Sequence, residues 1–376
     1  MATIEKRGRS WCVRYRQYDE YGKAKFIRKS GFATKSDAMA AVRDLERASR
    51  QGVNVNPGQL TVGVMLENHF LDASRRQQAT TLASRSNALD QLKKRPIYDM
   101  QIKKLRPETL SILADDMIRG TPGLQAISTT TARGYTSIVV SALRWGVKKG
   151  ILQYNPCEGA DLPPKARPKQ VILSMEDVAE VCAVCAEYRP YFLPMIYLAA
   201  YGGLRREECA GLLWSAFDPA RGSVQITTVT ASASGRRVKK EPKSASSRRT
   251  VVLPKFVADY LKQLPHKSDY ICAGDRSDSM HPNRYSTAIH KIQDEVNRRR
   301  EAEGREPLPS FRFHDLRHTH AAMCIAAGVH PKVISERLGH SSVAITMDVY
   351  GYLMPGAQEA VAATLDALAG GGANAV

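Results

Sequence analysis

The side chains best suited to chemistry lie together in FRFHDLRHTHA, residues 311–321. His314 and His318 are four positions apart with Asp315 directly after the first, and zinc proteases present two imidazoles from one helix face at this spacing. Arg317, however, lies at i+3 from His314 on the same predicted face. Its fixed positive charge would oppose the binding of a dication, so the pattern favours anion binding by His314 and Arg317 over a metal site.

Three further groups of polar residues lie in the same C-terminal part of the chain. YGGLRREECAGLLW places Arg205 and Glu208 at the start of a predicted helix, and a basic hairpin sequence contains Lys243. ERLGHSSVAITMDVYGYL contains His340 and Tyr350. A single arginine at a helix start usually forms an ordinary ion pair. Two arginines, a lysine, two histidines and a tyrosine on a basic chain together indicate a phosphate clamp with a nucleophile.

Attack on a phosphodiester explains this combination of residue types. The reaction builds negative charge on the phosphoryl oxygens, and guanidinium groups match these oxygens bidentately and stay protonated. Two such groups can hold the phosphate and stabilise the transition state, as metal ions do elsewhere. A tyrosine hydroxyl, with a reference pKa of ~10, needs a base or a nearby positive charge to act as a nucleophile at neutral pH. His314 could accept its proton, and Lys243 could protonate the leaving oxygen.

The overall charge also predicts a polyanionic partner. The formal net charge is +18 and the pI is near 9.7, and an excess of this size costs stability through self-repulsion. We find no lipid-anchor motif, no basic amphipathic helix, no secretory leader in residues 1–10 and no apolar run near the ~18 residues of a membrane span. Nucleic acid is therefore favoured over a membrane, and we expect an intracellular protein.

The seven cysteines are scattered and odd in number, which predicts reduced thiols rather than a disulfide framework. Cys182 and Cys185 form a CxxC pair within EDVAEVCAVCAEY, a segment with the apolar spacing of an amphipathic helix. No second pair is present to complete a zinc site, so we interpret these two thiols as buried core residues.

Three segments must position the reactive side chains. In residues 1–55, SWCVRYRQYDEYGKAKFIRKSGF alternates apolar with basic residues, and a capped helical stretch follows, which predicts a three-stranded sheet with one helix. Basic side chains at alternate strand positions can contact phosphates or enter a groove.

GVNVNPGQL is a predicted linker. Residues 61–160 read as all-helical, most clearly in TTTARGYTSIVVSALRWGVKKG, which Gly150 would terminate.

The third segment, residues 171–376, reads as mainly helical with one interruption. GSVQITTVTASASGRRVKKEPKSASSRRTVVLP predicts two or three strands in a small hairpin sheet that carries many basic side chains. MPGAQEAVAATLDALAG would form a short amphipathic tail helix. The predicted fold class is therefore multidomain α+β, with an N-terminal sheet, a helical middle domain and a mainly α-helical third domain containing a small antiparallel sheet.

The polar groups of the third segment resemble, in type and order, the catalytic domain of the tyrosine recombinase (phage integrase) family. GLRREE is similar to the first arginine motif of that family and HDLRHT to its H-x-x-R motif; LGHSS follows, with a tyrosine about ten residues further on. The resemblance covers residues 171–354. Residues 61–160 are more loosely similar to the core-DNA-binding (SAM-like) domain, and residues 1–55 to the arm-binding domain of integrases that recognise two kinds of DNA site.

The resemblance implies a role for each matching residue. Arg205 and Arg317 would clamp the phosphate, and His340 would be a further phosphate ligand. Tyr350 would form a 3′-phosphotyrosine link that conserves bond energy, so that no cofactor, neither ATP nor metal, is needed. Glu208, three residues after the first arginine, would orient active-site groups.

Two assignments keep alternatives. The resemblance makes His314 the proton acceptor and Lys243 the general acid, but Lys239 and Lys240 lie on the same hairpin and compete with Lys243. Tyr352 is a competing nucleophile, although its spacing from the LGHSS motif favours Tyr350.

The function implied is site-specific recombination by an integrase of a phage or integrative element, through two rounds of strand exchange and a Holliday junction. The expected partners are double-stranded DNA attachment sites, three further copies in a homo-tetramer on DNA and a possible directionality factor, in the nucleoid of a bacterial host cytoplasm. The tail helix would pack on a neighbouring protomer or fold back on its own domain. A type IB-like topoisomerase and a non-catalytic DNA-binding regulator are the alternative functions.

Overall fold

The computed structural model describes residues 2–18, 24–50, 60–165, 170–233, 236–240, 247–273 and 283–351, together with residues 362 and 365–367. The chain divides into two compact units, Met1–Arg167 and Pro168–Val376. None of the described helices is long and apolar enough to cross a membrane.

The first unit begins with an antiparallel three-stranded sheet in the order β1-β2-β3, followed by a helix. The elements are β1 (Ala2–Arg7), β2 (Ser10–Tyr18), β3 (Ala24–Phe32) and α1 (Lys35–Arg50). Val13 and Tyr15 of β2 are buried with Ala38 of α1, whereas Arg14 between them is exposed, as strand alternation requires. The predicted sheet and helix are confirmed; residues 19–23, between β2 and β3, lie outside the described part of the chain.

The rest of the first unit is helical, as predicted. It contains α2 (Val62–Ser74), α3 (Ala79–Lys93), α4 (Pro107–Arg119) and α5 (Thr129–Lys148), with short 3-10 turns at Pro96–Asp99 and Ile102–Lys104. Val139, Leu143 and Gly146 of α5 recur at three- and four-residue spacing and are buried on one face of the helix. Gly150 follows the helix at φ +67°, consistent with the expected glycine terminator.

The second unit is mainly helical and holds the largest core. Its helices are α6 (Met175–Tyr188), α7 (Leu193–Ala200), α8 (Arg206–Gly211), α9 (Lys255–Gln263), α10 (Asn283–Ala302), α11 (Phe313–Ala326), α12 (Pro331–Leu338) and α13 (Val343–Tyr350). Cys182 and Cys185 of α6 are buried in this core, as predicted, and all seven cysteines are free thiols in this structure. The expected tail helix lies mostly outside the described residues. In this tail only residues 362 and 365–367 are described, and they are helical.

The strands of the second unit differ from the sequence prediction. The described residues of the predicted hairpin region form four strands instead of two or three: β5 (Ser223–Ile226), β6 (Val229–Ala233), β7 (Arg236–Lys240) and β8 (Arg249–Val252). With β4 (Phe217–Asp218), β5 and β8 form one sheet, β4-β5-β8, while β6 and β7 form a separate hairpin. Residues 227–228 separate β5 from β6, and Thr228 there donates its hydroxyl to the carbonyl of Gly211 (2.7 Å).

Candidate active site

Five of the six predicted catalytic side chains line one cavity of about 350 Å³ in the second unit. They come from four elements and loops, and they are Arg205, His314, Arg317, His340 and Tyr350. A larger cavity of about 630 Å³ shares Arg205, Ser247 and His314 with the first and continues past the start of α8. The sixth residue, Lys243, and the competing Tyr352 lie outside the described residues.

Arg317 is almost completely buried, with 2% of its surface exposed. Its Nη1 donates to the carbonyl of Gly203 and its Nη2 to the carbonyl of Leu338, both at 2.6 Å. Gly203 has φ +67°, and a Cβ there would lie 2.5 Å from the His320 ring, so this turn requires glycine. A guanidinium has five N–H donors, so the two carbonyls fix the group and leave others for an anion. Burial lowers the pKa of Arg317 to about 9, which still keeps it charged at neutral pH.

Arg205 precedes α8, and its side chain is 34% exposed. Its Nη1 donates to Glu208 (2.8 Å) and its Nη2 to the carbonyl of Gly339 (3.0 Å). The backbone N–H of Arg205 also donates to the Glu208 carboxylate (2.8 Å), so Glu208 caps the helix and orients the arginine at once.

Glu208 is a buried carboxylate, 2% exposed, held between two guanidinium groups. Arg249 of β8 donates to it from Nη1 (3.0 Å) and Nη2 (2.9 Å), in addition to the bond from Arg205. Burial alone would raise the pKa of Glu208, but the hydrogen bonds and positive charge of Arg249, with Arg205 and Arg317, lower it to about 2. The carboxylate is therefore ionised, and the surrounding charge stays net positive.

Arg249 is a site residue that the sequence analysis missed. Its side chain is 7% exposed, and its Nε donates to the carbonyl of Arg337 (2.6 Å). Arg249 and the buried Val251 are two positions apart on β8, so they face the same side of the strand. This alternation was a usable signal that the side chain points inward.

His340 follows the turn that ends α12. Gly339 closes this helix in the left-handed region, at φ +66°, a conformation that glycine adopts at little cost. The Nδ1 of His340 lies 2.8 Å from the hydroxyl oxygen of Thr346. Burial, followed by the charges of Arg317 and Arg205, lowers the pKa of His340 to about 4, so the imidazole is neutral at physiological pH.

Tyr350 is the last residue of α13, and its side chain is buried, with 1% of the residue exposed. Its hydroxyl oxygen lies 2.7 Å from Nδ1 of His318. His318, which the sequence analysis considered only for its metal-like spacing from His314, therefore contacts the candidate nucleophile. The i, i+4 spacing from His314 was the available signal, because it places His318 on the helix face that meets the cavity.

His314 lines the cavity beside His318, and the two rings meet edge to face with 4.8 Å between their centroids. Desolvation by the cavity walls, then the neighbouring His318 and Arg317, lower the pKa of His314 to about 4. The third histidine of the motif, His320, is buried away from the cavity. Its Nδ1 lies 3.0 Å from the carbonyl oxygen of Ala200, which is consistent with a structural role.

Of the competing lysines, Lys240 lines the larger cavity, where its ammonium lies 3.4 Å from Glu207. Lys239 is on the same strand, β7, opposite Thr230. Among the described residues, no group of three His, Cys, Asp or Glu side chains is arranged to hold a metal ion.

Two protein-family models match the chain. Residues 172–353 match the model described as the phage integrase family, and residues 3–48 match an arm DNA-binding domain. The chain is 25% identical over 365 residues to a protein named tyrosine recombinase XerC-like from Caldanaerobacter subterraneus subsp. tengcongensis, covering 90% of each chain. It is 28% identical over 231 residues to the ICEBs1 integrase of Bacillus subtilis, covering 59% of this chain and 61% of that protein.

Solved structures show the same fold at low identity. The Tn1549 transposon integrase in complex with a circular intermediate DNA superposes with a TM-score of 0.70 at 16% identity, covering 82% of this chain and 99% of that one. A lambda integrase tetramer bound to a Holliday junction gives a TM-score of 0.56 at 16% identity, covering 91% and 92%.

Proposed function

The chain belongs to the phage integrase family of tyrosine recombinases, and from that membership we propose how its active site cleaves and rejoins DNA and which DNA it serves. The observation that carries the proposal is the placement of the Tyr350 side chain in one cavity with two guanidinium groups, those of Arg205 and Arg317.

The proposed reaction is a transfer of one phosphoryl group. The Tyr350 hydroxyl attacks the scissile phosphorus and gives up its proton, a tyrosine–phosphate bond forms, and the bond from phosphorus to the 5′ oxygen breaks. The leaving 5′ oxygen takes a proton from a general acid, for which we propose Lys243. Because the 3′-phosphotyrosine retains the bond energy of the phosphodiester, attack by a 5′ hydroxyl reverses the step without ATP or metal.

The clamp supplies the positive charge for this step. Some N–H groups of Arg205 and Arg317 donate to carbonyl oxygens or to Glu208. The remaining N–H groups would donate to the non-bridging phosphate oxygens, and neutral His340 would be a further ligand. Removing one such donor from an active site commonly costs ~10²–10³ in rate. His314 lies on the wall of the same cavity, where we propose that its ring contacts the phosphate. Glu208 is a positioning residue in this scheme, because it holds Arg205 from the side away from solvent.

The chain organisation suggests an integrase of a mobile element. We propose three functional modules: residues 1–55 contact arm-type DNA through the basic face of β2, residues 61–160 bind the core site, and residues 171–376 carry out catalysis. A homo-tetramer on paired attachment sites would exchange strands through a Holliday junction, with a directionality factor choosing integration or excision. The work would take place on the nucleoid in a bacterial cytoplasm.

The nucleophile can be tested with a nicked suicide duplex that spans the junction between the element and its host chromosome. We expect the native chain to form a denaturation-resistant adduct, Tyr350→Phe to bind the same DNA without forming one, and the matched Tyr352→Phe variant to behave as the native chain. Adduct formation by Tyr350→Phe together with its loss in Tyr352→Phe would transfer the role to Tyr352.

A further inference from the structure

The Tyr350 hydroxyl lies 2.7 Å from Nδ1 of His318, and we infer that His318 is a catalytic residue which accepts the tyrosine proton as the phosphotyrosine bond forms. The inference rests on the proposed function, because it assigns a partner to the nucleophile of that reaction.

The geometry meets the requirements of a general base. A base must lie within about 2.6–3.2 Å of the atom whose proton it removes, and Nδ1 does so in the DNA-free chain. Tyr350 is 1% exposed, so bulk water has little access to its hydroxyl. Tyr350 nevertheless lines the same cavity as His318, Arg205 and Arg317, so the base, the nucleophile and the clamp adjoin one space of about 350 Å³, which is large enough for a phosphate group.

The electrostatic surroundings keep His318 neutral and therefore able to accept a proton. Burial lowers the pKa of His318, Arg317 and Arg312 lower it further, and the carboxylate of Asp315 opposes them. The charged and titratable groups that face the ring come from three places: Arg312, His314, Asp315 and Arg317 from α11 and its start, His340 from the turn after α12, and Tyr350 from α13.

The proton balance follows from this contact. The inference requires that in the resting site the hydroxyl donates to Nδ1, which puts the ring hydrogen on Nε2. As the tyrosine oxygen bonds to phosphorus, its proton passes to Nδ1 and an imidazolium forms beside Asp315 and the newly transferred phosphate. During rejoining the same proton returns to the departing tyrosine oxygen, which restores the neutral ring.

The test uses His318→Asn in the full chain, because the asparagine oxygen can take the place of Nδ1 as a hydrogen-bond acceptor but cannot take up a proton. The readout is the single-turnover rate of adduct formation on the nicked suicide duplex, from mildly acidic to mildly alkaline pH. His330→Asn is the matched control: His330 is a helix-capping residue, accepting from the N–H of Lys332 (3.2 Å), and asparagine is also a good N-cap.

We expect His318→Asn to slow cleavage at neutral pH by ~10²–10⁴, with unchanged DNA binding in a gel shift. The deficit should shrink as the pH rises, because hydroxide then replaces the missing base, while His330→Asn keeps the native rate and pH profile. A rate equal to that of the native chain, or a loss of the same factor at every pH, would overturn the inference and leave His318 a packing residue. Absence of any adduct with the native chain would instead count against the proposed function.

A second measurement needs no DNA. In the chain labelled with 15N-histidine, the resonances missing from His318→Asn identify the ring, and their shifts report which nitrogen carries hydrogen at neutral pH. We expect hydrogen on Nε2 and a free lone pair on Nδ1. Hydrogen on Nδ1 would make the ring a donor to Tyr350, and the inference would be wrong.

Discussion

Neutralising Glu208 tests whether the charge network that holds Arg205 also stabilises the second unit. Glu208→Gln keeps the size of the side chain but removes the charge that Arg205 and Arg249 share. The pKa of Glu208 falls from the ordinary 4.5 to about 2, and a shift of that size corresponds to roughly 3 kcal/mol of stability at neutral pH. Removing one partner of a buried ion pair typically costs a similar amount, ~3–5 kcal/mol.

The pH dependence gives this prediction a second signature. Because folding lowers the pKa of Glu208, its contribution is complete above the unfolded pKa, near 4.5, and is lost as the pH falls towards about 2. The native chain should therefore be more stable than Glu208→Gln by about 3 kcal/mol at pH 7, and the two should converge as the pH is lowered below about 4.5.

The assay is urea unfolding of the full chain labelled with 5-fluorotryptophan. Of the three tryptophans, Trp214 is the one in the second unit, so its 19F resonance follows that unit alone. Glu207→Gln is the matched control, because Glu207 is 40% exposed and pairs with Lys240 at 3.4 Å, an interaction worth less than ~1 kcal/mol. Equal losses in the two variants, or a Glu208→Gln loss that is the same at pH 7 and in acid, would refute the ionic explanation.

Three further predictions concern the clamp and its surroundings. Arg317→Lys should slow cleavage by ~10²–10³ with little loss of DNA affinity, because one ammonium cannot reach both carbonyls and the phosphate; adduct rates beside gel shifts check this. Gly203→Ala should destabilise the second unit by more than the ~1–2 kcal/mol of a left-handed alanine, because its Cβ would meet His320 at 2.5 Å; Gly304→Ala, at φ +69° with nothing within 4 Å, measures the backbone cost alone. Prolonged treatment with a metal chelator should leave the rate of adduct formation unchanged, and a loss that added metal restores would contradict the metal-free mechanism.

Local spacing made much of the site predictable. His314 and Arg317 are one helical turn apart, and Tyr350 lies ten residues after His340, so short motifs were enough to select side chains that the fold brings to one cavity. The apolar periodicity of α5 and the alternation of β2 likewise predicted which faces are buried, because burial of one face is what stabilises an amphipathic element.

Long-range pairing was not predictable in the same way. The bond from Arg249 to Glu208 joins residues 41 positions apart, and it depends on β8 pairing with β5 instead of with the nearer β7. His318 was underrated for a different reason. The motif around it was interpreted along one helix, whereas its partner, Tyr350, comes from α13, 32 positions away.

The end of α12 connects these contacts into one unit. Arg317 donates to the carbonyl of Leu338 and Arg205 to that of Gly339, and His340 is the next residue. Carbonyls at a helix C-terminus lack intrahelical partners and carry partial negative charge, so they bind cationic side chains well. Both guanidinium groups, and His340 as the further phosphate ligand that we propose, thus depend on three consecutive residues. A displacement of this helix end would therefore move Arg205, Arg317 and His340 together. A phosphate held by these three side chains would in turn stabilise the observed position of the end of α12.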